Sequence, residues 1–330
     1  MDIADLLAFS VKHGASDLHL SAGVAPMLRV DGEIQRRDLP VLTPAAVREL
    51  IHSVMNSAQR SAFESAHEAD FSYAVPGLGR FRVNAFEQQR GAGAVFRSIT
   101  AQVPSLEGLG LGEVFKGLCG LSQGLVLVTG ATGSGKSTTL AAMIDHINAT
   151  RQQHILTIED PIEYLHAPRQ CLINQREVHR DTHSVAAALR SALREDPDVI
   201  MLGELRDLET IRLALTAAET GHLVLATLHT ASAAKAVDRI IDVFAADEKA
   251  MVRTMLSESL QGVIAQTLVK RVGGGRVAAH EIMLATPAIR NLIRENKVAQ
   301  MVSAIQTGAA AGMQTLEMSL KRLKENGLID

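Results

Sequence analysis

The fold class of the chain is indicated first by GLVLVTGATGSGKSTTLAAMIDHI, residues 124–147. The segment begins with an apolar run that is typical of a buried strand. Glycines and small polar residues follow, and the last part has the composition of a helix. A strand, a glycine-rich loop and a helix in this order form one unit of an α/β fold.

The glycine-rich part, GATGSGKST (130–138), matches the pattern G-x-x-x-x-G-K-[S/T]. Glycines let the backbone wrap closely around phosphates, with N–H groups pointing inward at the start of a helix. Lys136 would place a positive charge on the β- and γ-phosphates, and Ser137 would offer a hydroxyl to Mg²⁺. The sequence therefore predicts a site for ATP and Mg²⁺. Its predicted binding residues are Gly130, Ala131, Thr132, Gly133, Ser134, Gly135, Lys136, Ser137 and Thr138.

Three further apolar runs resemble the strand before the glycine loop. They are HILTIED (154–160), DVIMLGE (198–204) and HLVLATLH (222–229), and a helical pattern follows each. Continuous apolar strands that alternate with helices indicate a parallel sheet covered on both faces. Residues 230–330 are predicted to be mostly helical, with RVAAHEIML (276–284) as an additional strand.

Polar residues cluster after these strands, where open parallel sheets bind ligands. DVIMLGE has the form of a second nucleotide-binding motif, with Gly203 where Asp is often found. Glu204 is then the carboxylate that would hold the Mg²⁺ shell through water. Glu163 is predicted to polarise the attacking water, and Glu159 competes for that role. His229 lies on the ligand side of its strand and is expected to sense the γ-phosphate.

Residues 1–100 mix a short helix, strand-like segments and turns, which predicts a small α+β domain with an antiparallel sheet. A helix is predicted from Ile3 to His13, and a second one opens at Thr43-Pro44. Hairpin turns are predicted at Asp31-Gly32 and at Gly91–Gly93. The Gly-rich residues 101–115 are predicted to link this domain to an ATPase domain at 116–330.

Composition excludes several other classes of protein. A formal net charge of -3 argues against a protein that coats nucleic acid. Cys119 and Cys171 are far apart and form no CxxC pair, so a disulfide framework or a thiolate zinc site is not expected. Neither a secretory signal in residues 1–20 nor an apolar run of about 20 residues is visible. We therefore expect a cytoplasmic protein.

Four segments together resemble the secretion ATPases of type II secretion and type IV pili. They are the phosphate loop, TIEDPIEY (157–164), VIMLGELRDLETIRLALTAAETGH (199–222) and LATLHTASAAKAVDRIIDVF (225–244). Within the family, the chain is most similar to the type IV pilus retraction ATPases. GASDLHLSAG (14–23), GRFRVNAF (79–86), RGAGAVFR (90–97) and AIRNLIRE (288–295) carry that likeness. By periodicity alone, AIRNLIRE is an ordinary amphipathic helix.

The resemblance implies a homohexameric motor with a PAS-like N-terminal domain and a RecA-like C-terminal domain. Such a motor hydrolyses ATP to retract a pilus, which disassembles pilin and produces twitching motility. It acts in the cytoplasm and reaches the inner membrane through a platform protein, without inserting into the membrane itself. Arg82 and Arg97 match the family's arginines that contact the γ-phosphate. The paired cysteines that bind zinc in extension ATPases are absent, which favours retraction.

Alternative functions predict different features. Within the family, the chain could be an extension ATPase or an accessory retraction ATPase, and the sequence does not say whether an accessory motor takes part. A RecA-like nucleic-acid translocase would need a basic channel, for which the mildly acidic charge offers little support. A non-hydrolysing regulatory subunit would have lost its catalytic Glu or Arg residues, whereas Glu163, Glu204, Arg82 and Arg97 are all present.

Overall fold

The computed structural model describes residues 2–99 and 103–330. The chain divides into two units, Met1–Gln102 and Val103–Asp330, each with its own core. Among the described residues, every helix is too short or too polar to cross a lipid bilayer.

Over residues 2–99, the described part of the first unit, the chain forms a six-stranded antiparallel sheet and three helices. Its strands are β1 (Asp17–Ser21), β2 (Met27–Val30), β3 (Glu33–Arg36), β4 (Glu68–Val75), β5 (Gly79–Gln88) and β6 (Gly91–Ile99). Its helices are α1 (Ile3–Lys12), α2 (Pro44–Ser53) and α3 (Ser57–Ala66). The strand order is β3-β2-β1-β6-β5-β4, and every neighbouring pair is antiparallel. This agrees with the antiparallel sheet predicted for the first half of the chain.

Local sequence signals determine where the helices of this unit begin. Asp2 and Asp5 form a reciprocal capping box at the start of α1. Thr43 accepts a hydrogen bond from the Ala46 N–H at the start of α2, where Pro44 occupies the first turn. Both predicted helix starts are confirmed, and α1 ends at Lys12, one residue before the predicted end.

One of the two predicted hairpin turns is confirmed and the other was placed wrongly. Asp31 and Gly32 have φ values of 50° and 88° and join β2 to β3. The turn between β5 and β6 lies at residues 89–90, not at Gly91–Gly93, which already belong to β6. Gly93 is needed inside the strand because a Cβ there would lie 2.9 Å from the Phe86 ring. A close approach of this kind gives the same glycine signal as a turn.

The second unit contains a seven-stranded sheet with helices on both faces. Its strands are β7 (Gly124–Thr129), β8 (His154–Glu159), β9 (Leu172–Glu177), β10 (Val199–Leu202), β11 (Leu223–Leu228), β12 (Leu260–Lys270) and β13 (Arg276–Leu284). Its helices are α4 (Glu113–Cys119), α5 (Lys136–Thr150), α6 (Val185–Ala192), α7 (Leu208–Glu219), α8 (Ala233–Asp242), α9 (Lys249–Ser259), α10 (Pro287–Arg294), α11 (Met301–Thr307) and α12 (Leu316–Glu325). Short 3₁₀ turns occur at Val298–Gln300 and Ala309–Ala311.

The order of this sheet is β13-β12-β7-β11-β10-β8-β9. All neighbouring pairs are parallel except β12 and β13, so the sheet is mixed and mostly parallel. The four strands predicted from apolar runs, β7, β8, β10 and β11, are confirmed and lie side by side. The strand predicted at 276–284 is confirmed as β13.

Two strands of this sheet were missed by the sequence prediction. β9 lies at the edge of the sheet and is largely polar, so it has no continuous apolar run. β12 starts at Leu260, immediately after α9 ends at Ser259, and no Gly or Pro separates the two elements. The expectation of a mostly helical region after residue 230 was therefore wrong for residues 260–270.

Both faces of the central strands β7, β8, β10 and β11 are buried, as predicted for a parallel sheet. Alternate residues of β7 contribute to different cores, Leu125 and Leu127 to one and Val126 and Val128 to the other. The core on the α4–α5 side also contains Leu106 and Leu111, which lie in the predicted linker 101–115. α4 begins inside that range, and residues 100–102 lie outside the described part of the chain.

α10, which corresponds to most of AIRNLIRE, is anchored to the junction between α9 and β12. Ile289 and Ile293 are fully buried in the core. The guanidinium of Arg290 donates to the carbonyl oxygens of Ser257 and Glu258, the latter at 2.7 Å. It also donates to the side-chain oxygen of Gln261 at 3.2 Å. One turn later, Arg294 forms an exposed ion pair with the Glu258 carboxylate.

These two arginines should contribute very differently to stability. Arg290→Ala removes a charged donor from two carbonyls and should lower the free energy of unfolding by about 1–3 kcal/mol. Arg294→Ala removes an exposed ion pair and should cost only about 0–1 kcal/mol. Urea unfolding followed by circular dichroism measures both variants. Equal losses would contradict the anchoring role of Arg290.

Candidate active site

The phosphate loop connects β7 to α5 and has a backbone that requires glycine. Gly130, Gly133 and Gly135 have φ values of 151°, 77° and 88°. These values lie in the region that L side chains rarely adopt. At Gly130 a Cβ would also lie less than 3.0 Å from the backbone oxygen of Gln266. The glycine pattern in the sequence thus reflects both backbone conformation and close packing.

Lys136 is the first residue of α5 and is 8% exposed. Its ammonium donates to the carbonyl oxygens of Gly130 and Ala131 at 2.9 and 3.0 Å. Burial lowers the pKa of Lys136, and the negative charges of Glu204 and Glu163 oppose that shift. The structure therefore brings this lysine together with two of the predicted catalytic carboxylates.

Glu204 and His229 follow neighbouring strands and meet at the end of the sheet. Oε1 of Glu204 lies 3.3 Å from Nε2 of His229. Oε2 of Glu204 accepts a hydrogen bond from Nε of Arg206 at 2.7 Å. Arg206 also lies 3.5 Å from the Asp160 carboxylate. The proximity of Glu204 and His229 was expected from the strand ends, whereas sequence reasoning gave Arg206 no role.

The two candidate general bases have different environments. Glu159 is 7% exposed, and its carboxylate accepts hydrogen bonds from the Thr157 hydroxyl at 2.7 Å and the Gln175 amide at 3.3 Å. Burial raises the pKa of Glu159 to about 7. Glu163 is exposed, and its backbone N–H points to Glu159 at 3.4 Å. In the acidic segment TIEDPIEY (157–164), the Glu159 side chain is thus buried and Glu163 is exposed at the surface.

Gln175 lies on β9 and forms hydrogen bonds with the end of the acidic segment and the residues after it. Its side-chain amide donates to the Tyr164 carbonyl at 2.8 Å and its side-chain oxygen accepts from the His166 N–H at 2.8 Å. The Tyr164 hydroxyl in turn lies 3.0 Å from the Thr138 hydroxyl in the first turn of α5. Sequence reasoning missed Gln175 because it did not predict β9.

The oxygen groups at this end of the sheet suit Mg²⁺. The Ser137 hydroxyl, next to Lys136, and the Glu204 carboxylate are hard oxygen donors of the kind that Mg²⁺ prefers. Within residues 2–99 and 103–330, no three His, Cys, Asp or Glu side chains cluster as a metal cage. Mg²⁺ commonly keeps waters and phosphate oxygens as ligands and needs no such cage.

Arg82 and Arg97 belong to the first unit, where they lie directly opposite each other on β5 and β6. Arg82 forms a two-pronged contact with Asp70, with Nε at 3.2 Å and a terminal nitrogen at 2.6 Å from its oxygens. Arg97 donates from Nε to Asp17 at 2.8 Å. The Asp17 side chain is 3% exposed and also lies 4.0 Å from Arg29. Each arginine thus has an acidic partner that the sequence did not reveal.

A family model described as type II/IV secretion system protein matches residues 2–275. The chain belongs to this family. It is 68% identical over 329 residues to the type IV pilus retraction ATPase PilT of Pseudomonas aeruginosa, covering 100% of this chain and 96% of the relative. It is 59% identical over 305 residues to a twitching motility protein of Neisseria gonorrhoeae, covering 92% and 82%.

A solved structure of the same kind is also similar. The crystal structure of the pilus retraction motor PilT with bound ADP superposes with a TM-score of 0.93 at 49% identity. The alignment covers 100% of this chain and 95% of that one. Family membership and these full-length matches make the chain an ATPase of the secretion ATPase family.

The buried carboxyl of Glu159 should make stability depend on pH. Its folded pKa of about 7 lies above the ordinary value of 4.5, so the unfolded chain loses this proton first as pH rises. Its contribution to the free energy of unfolding therefore falls between about pH 4.5 and about pH 7. Glu159→Gln cannot titrate and should lack this component. Urea unfolding across this interval should show the variant gaining stability relative to the wild type as pH rises, and a constant difference would contradict the assignment.

Proposed function

We propose that this chain is the motor that retracts a type IV pilus, coupling Mg-ATP hydrolysis to pilin disassembly and twitching motility. The observation that carries the ATP-hydrolysing part of the proposal is the phosphate loop between β7 and α5, whose buried Lys136 donates to the Gly130 and Ala131 carbonyls. The relative that is 68% identical over the full length is a pilus retraction ATPase, and this supports retraction over the activities of other motors of the family.

The second unit serves as a RecA-like ATPase domain at 116–330, and the first serves as a PAS-like domain at 1–100, with 101–115 as the connection. The mostly parallel sheet, with the phosphate loop directly after β7, supports the first assignment. The six-stranded antiparallel sheet with its three helices supports the second.

In the proposed site, residues 130–138 bind the phosphates of ATP. The loop N–H groups and the start of α5 surround the phosphate oxygens. Lys136, already held by two loop carbonyls, places its ammonium against the β- and γ-phosphates. Ser137 would hold Mg²⁺ through its hydroxyl, and Glu204 would hold it through water. Mg²⁺, when bound, neutralises charge on the phosphate oxygens.

Glu163 acts as the general base that orients the attacking water and accepts its proton. It is exposed, and its negative charge acts on Lys136 of the phosphate loop. Glu159 suits this role less well because it is buried and hydrogen-bonded to Thr157 and Gln175. His229 senses the γ-phosphate through its contact with Glu204.

Arg82 and Arg97 neutralise charge on the transferring phosphoryl group. Arginine forms strong paired hydrogen bonds with phosphate oxygens, and such contacts stabilise the transition state of phosphoryl transfer. In this structure both arginines contact carboxylates, Asp70 and Asp17. A phosphate therefore competes with Asp70 for a terminal nitrogen of Arg82, whereas Arg97 binds Asp17 through Nε alone.

The working assembly is a homohexamer on the cytoplasmic side of the inner membrane, which acts on a platform protein of the pilus machine. Membership of the secretion ATPase family supports the ring. The motor contacts neither nucleic acid nor the bilayer interior, in keeping with its net charge of -3. An accessory retraction ATPase is a further candidate partner of this ring.

Glu163→Gln should lower kcat by about 10²–10⁴-fold while ATP still binds, because general-base catalysis is worth that much. ATP turnover of purified wild type and variant at known oligomeric state measures this. The control is Glu317→Gln, an exposed glutamate at the start of α12, which should keep wild-type turnover. Unchanged kcat in Glu163→Gln would reject Glu163 as the base.

The same assay separates the proposed motor from the other classes of function. Turnover that is indifferent to single-stranded DNA supports the motor, whereas strong stimulation by DNA would indicate a translocase. ATP binding without turnover in the wild type would indicate a regulatory ring. In cells that lack the gene, the wild type should restore twitching and Glu163→Gln should not.

Arg97→Ala should lower kcat on the order of 10³-fold if its guanidinium reaches the phosphoryl group. Arg29→Ala is the matched control because Arg29 also lies close to the Asp17 carboxylate. It should keep wild-type kcat. Steady-state ATP hydrolysis by both variants tests the assignment, and equal losses would assign the effect to the Asp17 cluster and not to the phosphate contact.

A further inference from the structure

A buried glutamine on β12 contacts the phosphate loop at several points. Gln266 is 6% exposed, and both ends of its side-chain amide are bonded. Its Nε2 donates to the Ser134 carbonyl at 2.6 Å, and its Oε1 accepts from the Thr139 hydroxyl at 2.7 Å. Because donor and acceptor are both used, the amide has a single favourable orientation.

The register of the sheet explains why this residue reaches the loop. β12 runs parallel to β7, with Ile264 opposite Val128 and Ala265 opposite Thr129. Gln266 is therefore next to Gly130, the residue at which β7 gives way to the loop. A Cβ at Gly130 would collide with the Gln266 backbone oxygen, and one at Gly135 would lie 2.8 Å from Nε2. The glutamine thus contacts the loop near its beginning and near its end.

The bond to Ser134 has a direct consequence for anion binding. In a trans peptide, the carbonyl oxygen and the next N–H point in opposite directions. When Gln266 holds the Ser134 carbonyl, the N–H of Gly135 must point away from Gln266. Gly135 immediately precedes α5, where N–H groups face a bound phosphate.

We propose that Gln266 is a positioning residue for nucleotide binding, which sets the direction of the Gly135 N–H by holding the Ser134 carbonyl. The inference rests on the proposed nucleotide site. The sequence around this residue supports it, since GVIAQTLV is otherwise almost entirely apolar. Ile264, two residues earlier on the same face of β12, packs in the core. A glutamine is not needed there for packing, but its amide satisfies two buried polar groups of the loop and α5.

The consequence should appear in nucleotide affinity more than in the chemical step. The loop holds phosphates that ATP and ADP share, and lost binding of that kind raises KM with little change in kcat. Gln266→Met keeps the length of the side chain but removes both hydrogen bonds. It should weaken ADP binding and raise KM for ATP by roughly tenfold, with kcat within about twofold of wild type.

The experiment measures binding of a fluorescent ADP analogue, ATP turnover and thermal unfolding for four single variants and for the double variant Gln266→Met/Thr139→Val. Gln266→Met is compared with Gln314→Met, whose amide donates to the His280 carbonyl at 3.0 Å in the same unit. Gln314→Met should lose as much stability as Gln266→Met but keep wild-type affinity for the ADP analogue. Thr139→Val removes only the hydroxyl that orients Gln266, so it should weaken binding in the same direction and non-additively with Gln266→Met.

Lys136→Ala separates the two proposals. If Lys136→Ala binds ADP as well as wild type, the nucleotide site itself is misplaced and the proposed function fails. If Lys136→Ala loses affinity but folded Gln266→Met keeps wild-type Kd and KM, only the role of Gln266 is overturned. Should Gln266→Met not fold, Thr139→Val decides: a raised Kd supports the inference and an unchanged Kd overturns it.

Discussion

The buried ammonium of Lys136 constrains the arrangement of the second unit. A charged group that loses most of its hydration must regain favourable interactions inside the protein, or its charged form becomes unstable. Two loop carbonyls supply part of that compensation, and the negative charges of Glu204 and Glu163 partly oppose the lowering of the Lys136 pKa by burial. The tight loop, the start of α5 and the acidic strand ends therefore depend on each other.

The sheet brings these groups together because its central strands are parallel and adjacent. β7, β11, β10 and β8 end at the same edge, and each is followed by a part of the site. Hydroxyl groups connect neighbouring strand ends: Thr129 at the end of β7 bonds to Thr230 just after His229, and Thr227 in β11 donates to the Gly203 carbonyl beside Glu204. Such bonds hold the catalytic loops at fixed distances, which hydrolysis by positioned groups requires.

Features that depend on neighbouring residues in the chain could be predicted from the sequence. The glycine loop, the apolar strands and the carboxylates after them are local patterns, and the parallel order of the strands follows from their alternation with helices. Gln266 and Gln175 could not be found in this way, because their partners are 132 and 11 residues away. β9 is largely polar, and β12 follows α9 without a break. A lone glutamine in the apolar run of β12 was the one available hint. The raised pKa of Glu159 likewise depends on burial by elements distant in sequence.

The paired arginines of the first unit, which we propose to contact phosphate, are each held by an acidic partner. Arg82 and Arg97 lie opposite each other on neighbouring strands, where like charges are unfavourable without compensation. Asp70 takes both Nε and a terminal nitrogen of Arg82, so a phosphate would have to displace this exposed pair, at a cost of about 0–1 kcal/mol.

Asp17 binds Arg97 differently. It accepts from Nε, while the Arg97 side chain remains 66% exposed. A guanidinium has five N–H donors, so its terminal nitrogens can meet a phosphate while Nε stays on the buried carboxylate. Arg97 is therefore preorganised by its partner, whereas Arg82 already uses one terminal nitrogen on its own. Of the two, Arg97 can contact phosphate at the smaller cost in free energy.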